Sequence, residues 1–123
     1  MTRTPLRDYF FAIEYQNKHI GEISLELTEN MEEAELGWIL HRDYWGKGYM
    51  TEAALAVLDF AKTLPTLVAL FAHCDSQNKA SAAVMKHLGM TLSKKSSRQN
   101  RNNNEITEDH RYILNLKSQN TEK

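Results

Sequence analysis

The chain has a single cysteine, Cys74, in 123 residues, so it cannot form an internal disulfide. The start, Met1-Thr2-Arg3-Thr4-Pro5, lacks the apolar run of a signal peptide, and a reducing cytoplasm is the expectation. Charge of one sign is also missing. Lys and Arg total 15 against 16 for Asp and Glu, a balance that gives no electrostatic case for a dedicated nucleic-acid or membrane binder. No uninterrupted apolar stretch approaches the roughly 20 residues that a membrane-spanning helix requires. His41, His73 and His87 lack the paired spacing of a metal site, so solvated or structural histidine is the reading for each and no metal is expected. No internal repeat or linker-like composition divides the chain, which implies one domain over residues 1–123 with a loose polar tail from Ser118.

What is present is ordinary globular composition, 41% hydrophobic and 25% charged, enough to bury about two-thirds of the unfolded surface around one core. Aromatic and aliphatic residues from Asp8 to Gln16 predict a strand ending in a tight turn at Asn17-Lys18. From His19 to Leu27 a second strand alternates Ile23, Leu25 and Leu27 against Ser24 and Glu26. Ile20 is out of phase, and a bulge near Gly21 would reconcile the two halves. After an acidic turn, Glu33 to Leu40 is a third strand in an antiparallel meander.

The period then changes. Ala54, Val57, Leu58 and Ala61 form one helical face between Met50 and Lys62, which Pro65 closes. Thr66 to His73 is a short apolar run that suits a strand covered on both faces. A second helix runs from Lys79 to Leu88, with Asn78 as N-cap and Gly89 just past its end. Met90 to Lys94 and Ile106 to Leu116 close as a strand pair, joined by a polar loop through Arg101-Asn102-Asn103-Asn104. The order β-β-β-α-β-α-β-β describes an α/β fold with a mixed, mostly antiparallel sheet flanked by helices.

Between the third strand and the first helix stands Tyr44-Trp45-Gly46-Lys47-Gly48-Tyr49-Met50-Thr51-Glu52-Ala53. Two glycines one residue apart at a helix entry let several N–H groups converge where the helix dipole favours negative charge, which suits a pyrophosphate. A plain glycine turn would satisfy the same spacing. The wider set is more specific: Glu35-Leu36-Gly37-Trp38, the glycine segment, Asn78-Lys79-Ala80-Ser81, His87-Leu88-Gly89-Met90, and Asp109 with Tyr112. In order and spacing, from about Tyr9 to Leu116, this set resembles the GNAT superfamily of N-acetyltransferases, and within it the RimJ/RimL-like branch, whose named members acetylate the amino termini of ribosomal proteins.

That resemblance implies acetyl-CoA as co-substrate and direct attack by a primary amine in a ternary complex. It implies that the pantetheine arm lies against the strand end Trp38, Ile39 and Leu40, that Trp45, Gly46, Lys47, Gly48, Tyr49 and Met50 cradle the pyrophosphate, and that Asn78 touches the pantetheine. Met50 stands where glycine or alanine is usual, which brings a larger side chain close to the phosphates. Met90 replaces the commoner phenylalanine, a volume-tolerant change. Members usually carry a further strand and two helices before the point where this chain starts, forming one wall of the acceptor site. The resemblance therefore leaves open an acyl-CoA-binding module without turnover, or a catalytic half completed by another subunit, for instance in a homodimer.

Ser81 shares a helical face with Val84, Met85 and Leu88, a hydroxyl on an otherwise apolar seam. The family places there a group that protonates the departing thiolate, while a serine bonded back to its own helix is the bland alternative. Glu35 stands about where many members put a carboxylate base, against the alternative of a solvated strand carboxylate. Cys74 reads as a small buried hydrophobe rather than a nucleophile. Glu26, Glu29, Glu32, Glu33 and Glu35 read as a solvated acidic turn, with attraction of a cationic acceptor as the alternative, and Lys94, Lys95, Arg98 and Arg101 as a basic counterpart that could meet an adenosine phosphate or nothing at all.

Overall fold

Gln16 and Asn17 both have positive φ, 50° and 66°, the combination that a two-residue hairpin turn demands because its twist then matches that of the flanking strands. This turn joins β1 (Asp8–Tyr15) to β2 (Lys18–Leu27), one residue earlier than the sequence pattern suggests. The computed structural model describes residues 7–99 and 106–116. The loop from Arg101 to Asn104 and the tail from Ser118 lie outside the described residues.

The expected bulge is present in β2. Ile13 faces Gly21 and Glu14 faces His19, so Ile20 is the extra residue. Its insertion turns Ile20 inward together with Ile23, Leu25 and Leu27, all of them buried, whereas strict alternation would expose it. Gly21 is required there by close approach: a Cβ would collide with the carbonyl oxygen of Ile39 on the next strand and sit 3.1 Å from the Leu40 Cα.

β3 (Glu33–Leu40) pairs antiparallel with β2 and parallel with β4 (Ala69–Asp75). β4 begins three residues later than the apolar run suggests, because Leu67 N–H closes a turn onto Leu64 and pairing with β3 starts where Val68 and Ala69 donate to the Glu32 carbonyl. The remaining strands, β5 (Thr91–Gln99) and β6 (Ile106–Asn115), form an antiparallel pair that docks through β6 on β4. The described residues thus form one six-stranded sheet in the order β1-β2-β3-β4-β6-β5. β5 runs well past Lys94, where its sequence has no apolar alternation. It lies at the sheet edge, and pairing with β6, not burial, carries it.

Both helices lie on one face of this sheet. α1 (Tyr49–Ala61) buries Met50, Ala54, Val57, Leu58 and Ala61 in one core with Ile23, Leu25, Leu36 and Leu70 of the sheet. Full burial of a side chain such as Leu58 stabilises by about 1.5–3 kcal/mol. Phe60 extends the contact to β1, its ring edge-on to Tyr9 and Phe11 at 5.1 and 5.5 Å. α2 (Lys79–His87) buries Val84 and Met85. It ends with Gly89 at φ 89°, where Met90 N–H reaches the Met85 carbonyl and Gly89 N–H that of Lys86. This crossed pair satisfies carbonyls that the helix end leaves open. The other face of the sheet, carrying Phe10, Glu26, Glu35, Phe71 and His73 by strand alternation, has no helix over it among the described residues.

Gly21→Ala should lower stability by about 1–3 kcal/mol, as overpacking against backbone does. Urea unfolding followed by circular dichroism checks it. An unchanged midpoint would mean that the β2–β3 pairing yields without cost.

Candidate functional site

β3 and β4 are held together by only three residue pairs, Glu33 with Ala69, Ala34 with Leu70 and Glu35 with Phe71. Beyond them β3 stays paired with β2 as far as Leu40, while β4 stays paired with β6 as far as Asp75. The two strands therefore separate, and a wedge opens in the sheet. Backbone alternation fixes which groups face it. Thr28 and His41 bonds tie the odd-numbered residues of β3 to β2, and the Val68 bond to Glu32 turns the even-numbered ones toward β4. The N–H and C=O of Trp38 thus point into the wedge, past the last strand pair.

On the helix face the wedge deepens into a cleft of about 430 Å³. Trp38, Ile39 and Leu40 form one side and the N-terminal half of α2, from Asn78 through Ser81 to Val84, the other. The loop from Tyr44 to Gly48 and the start of α1 close its end. Gly46 and Gly48 have φ of 77° and 81°, and a Cβ at either position would point into open space. Gly48 caps α1 without any side-chain bond, so Tyr49, Met50 and Thr51 present their amides without an intrahelical partner. The Trp45 indole N–H, bonded to the Leu40 carbonyl at 2.8 Å, ties this loop back to the end of β3.

Positive charge stands beside that loop. Lys47 Nζ lies 5.9 Å from the Tyr44 ring centre, and the Arg42 guanidinium 5.6 Å from that of Trp45. Tyr49 leans on Tyr15 with ring centres 5.0 Å apart. Its phenol is pushed above the ordinary tyrosine value first by the hydrogen bond with Tyr15 and then by desolvation.

Of the residues singled out from the sequence, Trp38, Ile39, Leu40, Trp45, Gly46, Gly48, Tyr49, Met50, Asn78 and Ser81 border this one cleft. Met50 does not crowd it: its side chain is 6% exposed and packs in the core. The Asn78 side chain accepts the Ser81 amide at 3.0 Å, the expected cap. Ser81 Oγ is 3.2 Å from Trp38 Nε1. An indole N–H only donates, so Oγ is the acceptor and its own proton remains available to a third group.

Glu35 is not in the cleft. It alternates onto the helix-free face, opposite Glu26 on β2 and beside Phe71 on β4. Lys94 and Lys95 lie on the outer strand β5, away from the cleft, and the side chain of Arg98 and all of Arg101 lie outside the described residues. Cys74 is buried, its thiol pushed up by desolvation and then by the nearby Asp109 and Asp75 carboxylates, which keeps the nucleophilic thiolate scarce.

Sequence reasoning missed two features. His87 borders the cleft on the same helical stripe as Ala80 and Ala83, a spacing that could have linked it to Ser81. His73 is neither free nor merely solvated: its Nδ1 lies 2.8 Å from Asp109 Oδ2. That pairing depends on the β4–β6 register, which no local pattern discloses.

Residues 2–91 match the family profile described as acetyltransferase (GNAT) domain. The uncharacterized N-acetyltransferase YnaD of Bacillus subtilis (strain 168) is 39% identical over 56 residues, 46% of this chain and 33% of that protein. The structure of a GNAT-family acetyltransferase from Bacillus anthracis is similar with a TM-score of 0.74 at 26% identity, covering 84% of this chain and 62% of that one. RimL, a ribosomal-protein alpha-N acetyltransferase solved with coenzyme A, gives a TM-score of 0.82 at 19% identity over 92% of this chain and 64% of its own, a likeness of fold. The chain spans less than two thirds of each of these three relatives.

Asn78→Ala should cost about 1 kcal/mol through loss of the α2 cap, read as a lowered midpoint in urea. Native protein should also react more slowly with a thiol alkylating agent at pH 8 than the urea-unfolded chain. Equal rates would contradict the burial of Cys74.

Proposed function

The chain belongs to the GNAT acetyltransferase family, and from that membership we propose that it binds acetyl-CoA in the cleft beside β3 and transfers the acetyl group to a primary amine. The acceptor is a protein N-terminus or a small amine. The observation that carries this reading is the single cleft in which a free strand edge at Trp38, the Ser81 hydroxyl and the two positive-φ glycines meet.

Each part then has a task. The amides of Tyr49, Met50 and Thr51, at the positive end of the α1 dipole, receive the pyrophosphate, with Gly46 and Gly48 letting it approach the backbone and Lys47 adding charge. The pantetheine lies along Trp38, Ile39 and Leu40, and Asn78 meets it from α2. Trp38 N–H steadies the oxyanion that forms when the amine attacks the thioester. Ser81 gives its proton to the departing thiolate and regains one from the amide nitrogen, with the Trp38 indole fixing its orientation. Glu35, on the helix-free face, draws the ammonium form of the acceptor toward the wedge.

A second reading rests on the helix-free face, where Phe10 is 68% and Ile39 74% exposed. There another subunit, such as a second copy, completes the acceptor side. Specific activity that rises with protein concentration would favour it.

The test is mass spectrometry of the protein with acetyl-CoA and a mixed pool of peptides and small amines, paired with calorimetry. Acetyl-CoA should bind, and Gly48→Val should weaken it strongly, since a β-branched residue at φ 81° strains the turn and fills the space the phosphates need. Equal affinity of the two proteins rules the loop out as the phosphate site. Ser81→Ala should leave acetyl-CoA affinity unchanged and lower turnover by about a hundredfold, whereas a threefold effect would make the serine a positioning group. Glu35→Gln should hurt most at low pH, where fewer acceptor molecules are already neutral.

A further inference from the structure

On the face opposite the cleft, His73 stands two residues beyond the last β3–β4 pair, on the β4 edge that borders the wedge. Strand alternation puts Trp38, whose indole meets Ser81 of α2 at 3.2 Å, on one side of the opening and the imidazole on the other. The ring is fixed from two directions. Asp109 on β6 holds Nδ1 at 2.8 Å, and the Phe71 ring meets it edge-on at 5.9 Å. Phe71 is itself covered by the Arg111 guanidinium, 4.6 Å from its ring centre. The Asp109 side chain is 13% exposed and the His73 side chain 35%, so the carboxylate is largely enclosed while the imidazole still reaches solvent.

A carboxylate only accepts hydrogen bonds, so Nδ1 carries the shared proton and the neutral ring keeps its lone pair on Nε2. An oriented imidazole backed by a largely enclosed carboxylate is suited to take a proton. Resting on the acetyltransferase reading, we propose that His73 is the general base for the acceptor amine and that Asp109 is its positioning residue. Nε2 takes one proton from the ammonium, and the neutral amine then attacks the thioester carbonyl through the wedge. Collapse breaks the carbon–sulfur bond, the thiolate receives a proton through Ser81 from the amide nitrogen, and the imidazolium releases its proton to water. Net, one ammonium and one thioester give one amide, one thiol and one proton.

On the strands around the imidazole this face carries Glu33 and Glu35 on β3, Asp75 on β4, Asp109 and Arg111 on β6, and Lys94 opposite Arg111 on β5. Four of these six are acidic, a setting that draws an ammonium toward Nε2.

The experiment measures kcat/KM against pH for wild type, His73→Gln, Asp109→Asn and His73→Gly, with an alkylamine and with an aryl amine that is neutral at pH 7. Calorimetry of acetyl-CoA binding runs in parallel. His73→Gln should bind acetyl-CoA as wild type does and lose about a hundredfold with the alkylamine near pH 6.5. The loss should shrink as pH approaches the amine's own pKa and be small for the aryl amine. Asp109→Asn should give a partial loss with the low-pH limb displaced, and added imidazole should restore part of the His73→Gly rate, which a merely misfolded variant would not show. Transfer by His73→Gln with the wild-type pH profile overturns the assignment of His73 alone. Wild-type protein that binds no acetyl-CoA overturns it together with the acetyltransferase reading.

Discussion

The separation of β3 from β4 after three residue pairs is the constraint on which the site depends. Two parallel strands that stayed paired would bury the Trp38 backbone in the ladder and leave neither a cleft nor a free N–H. Past the last shared pair each strand follows its outer neighbour, β3 along β2 through seven pairs in all and β4 along β6 through seven. Helix α1 shares one hydrophobic core with the strands, and its N-terminal residues Tyr49, Met50 and Thr51 border the cleft. The unpaired backbone of β3 and the unpaired amides of α1 therefore arrive in one cleft, where the polar groups a fold normally satisfies internally remain available to a ligand.

Much of this was legible in the sequence, and the reason is local. Glycines at 46 and 48, the cap at Asn78 and the slip of phase at Gly21 are short-range signals, each tied to a backbone geometry that few residue types permit. The two helices and the early strands follow from periodicity. What was not legible depends on register. Lys94 to Gln99 continue β5 with no apolar pattern, since an edge strand can be held by pairing with its neighbour alone. Glu35 is at its expected place on the strand, but the face it occupies follows from which β3 residues point to the core. Likewise His73 and Asp109 are 36 residues apart in the chain and meet only because β4 and β6 align Asp75 with Asp109.

The two faces of the wedge differ in charge as well as cover. On the helix face the loop amides, Lys47 and Arg42 surround the open end. On the helix-free face Asp8, Glu26 and Glu35 follow one another directly across three strands. Like charges so placed oppose folding by a few tenths of a kcal/mol or more per pair, of order 0.2–1. Exposure to water and salt limits that cost.

For the proposed pair of substrates this asymmetry sorts the approach. A polyanionic thioester is drawn to the glycine loop and repelled by the carboxylate row, while an ammonium acceptor is repelled by the loop and drawn to the row. The reacting atoms then meet in the wedge from opposite sides. In the proposed mechanism the thioester carbonyl lies against Trp38 and Ser81, and the amine passes Glu35 and His73. The ammonium charge that guides the acceptor in is the same charge that must be removed before attack, so a proton acceptor is needed on the acidic face and not in the cleft. A histidine held by a carboxylate at the mouth of the wedge meets that requirement, because it can take the proton without presenting a permanent positive charge to the arriving amine.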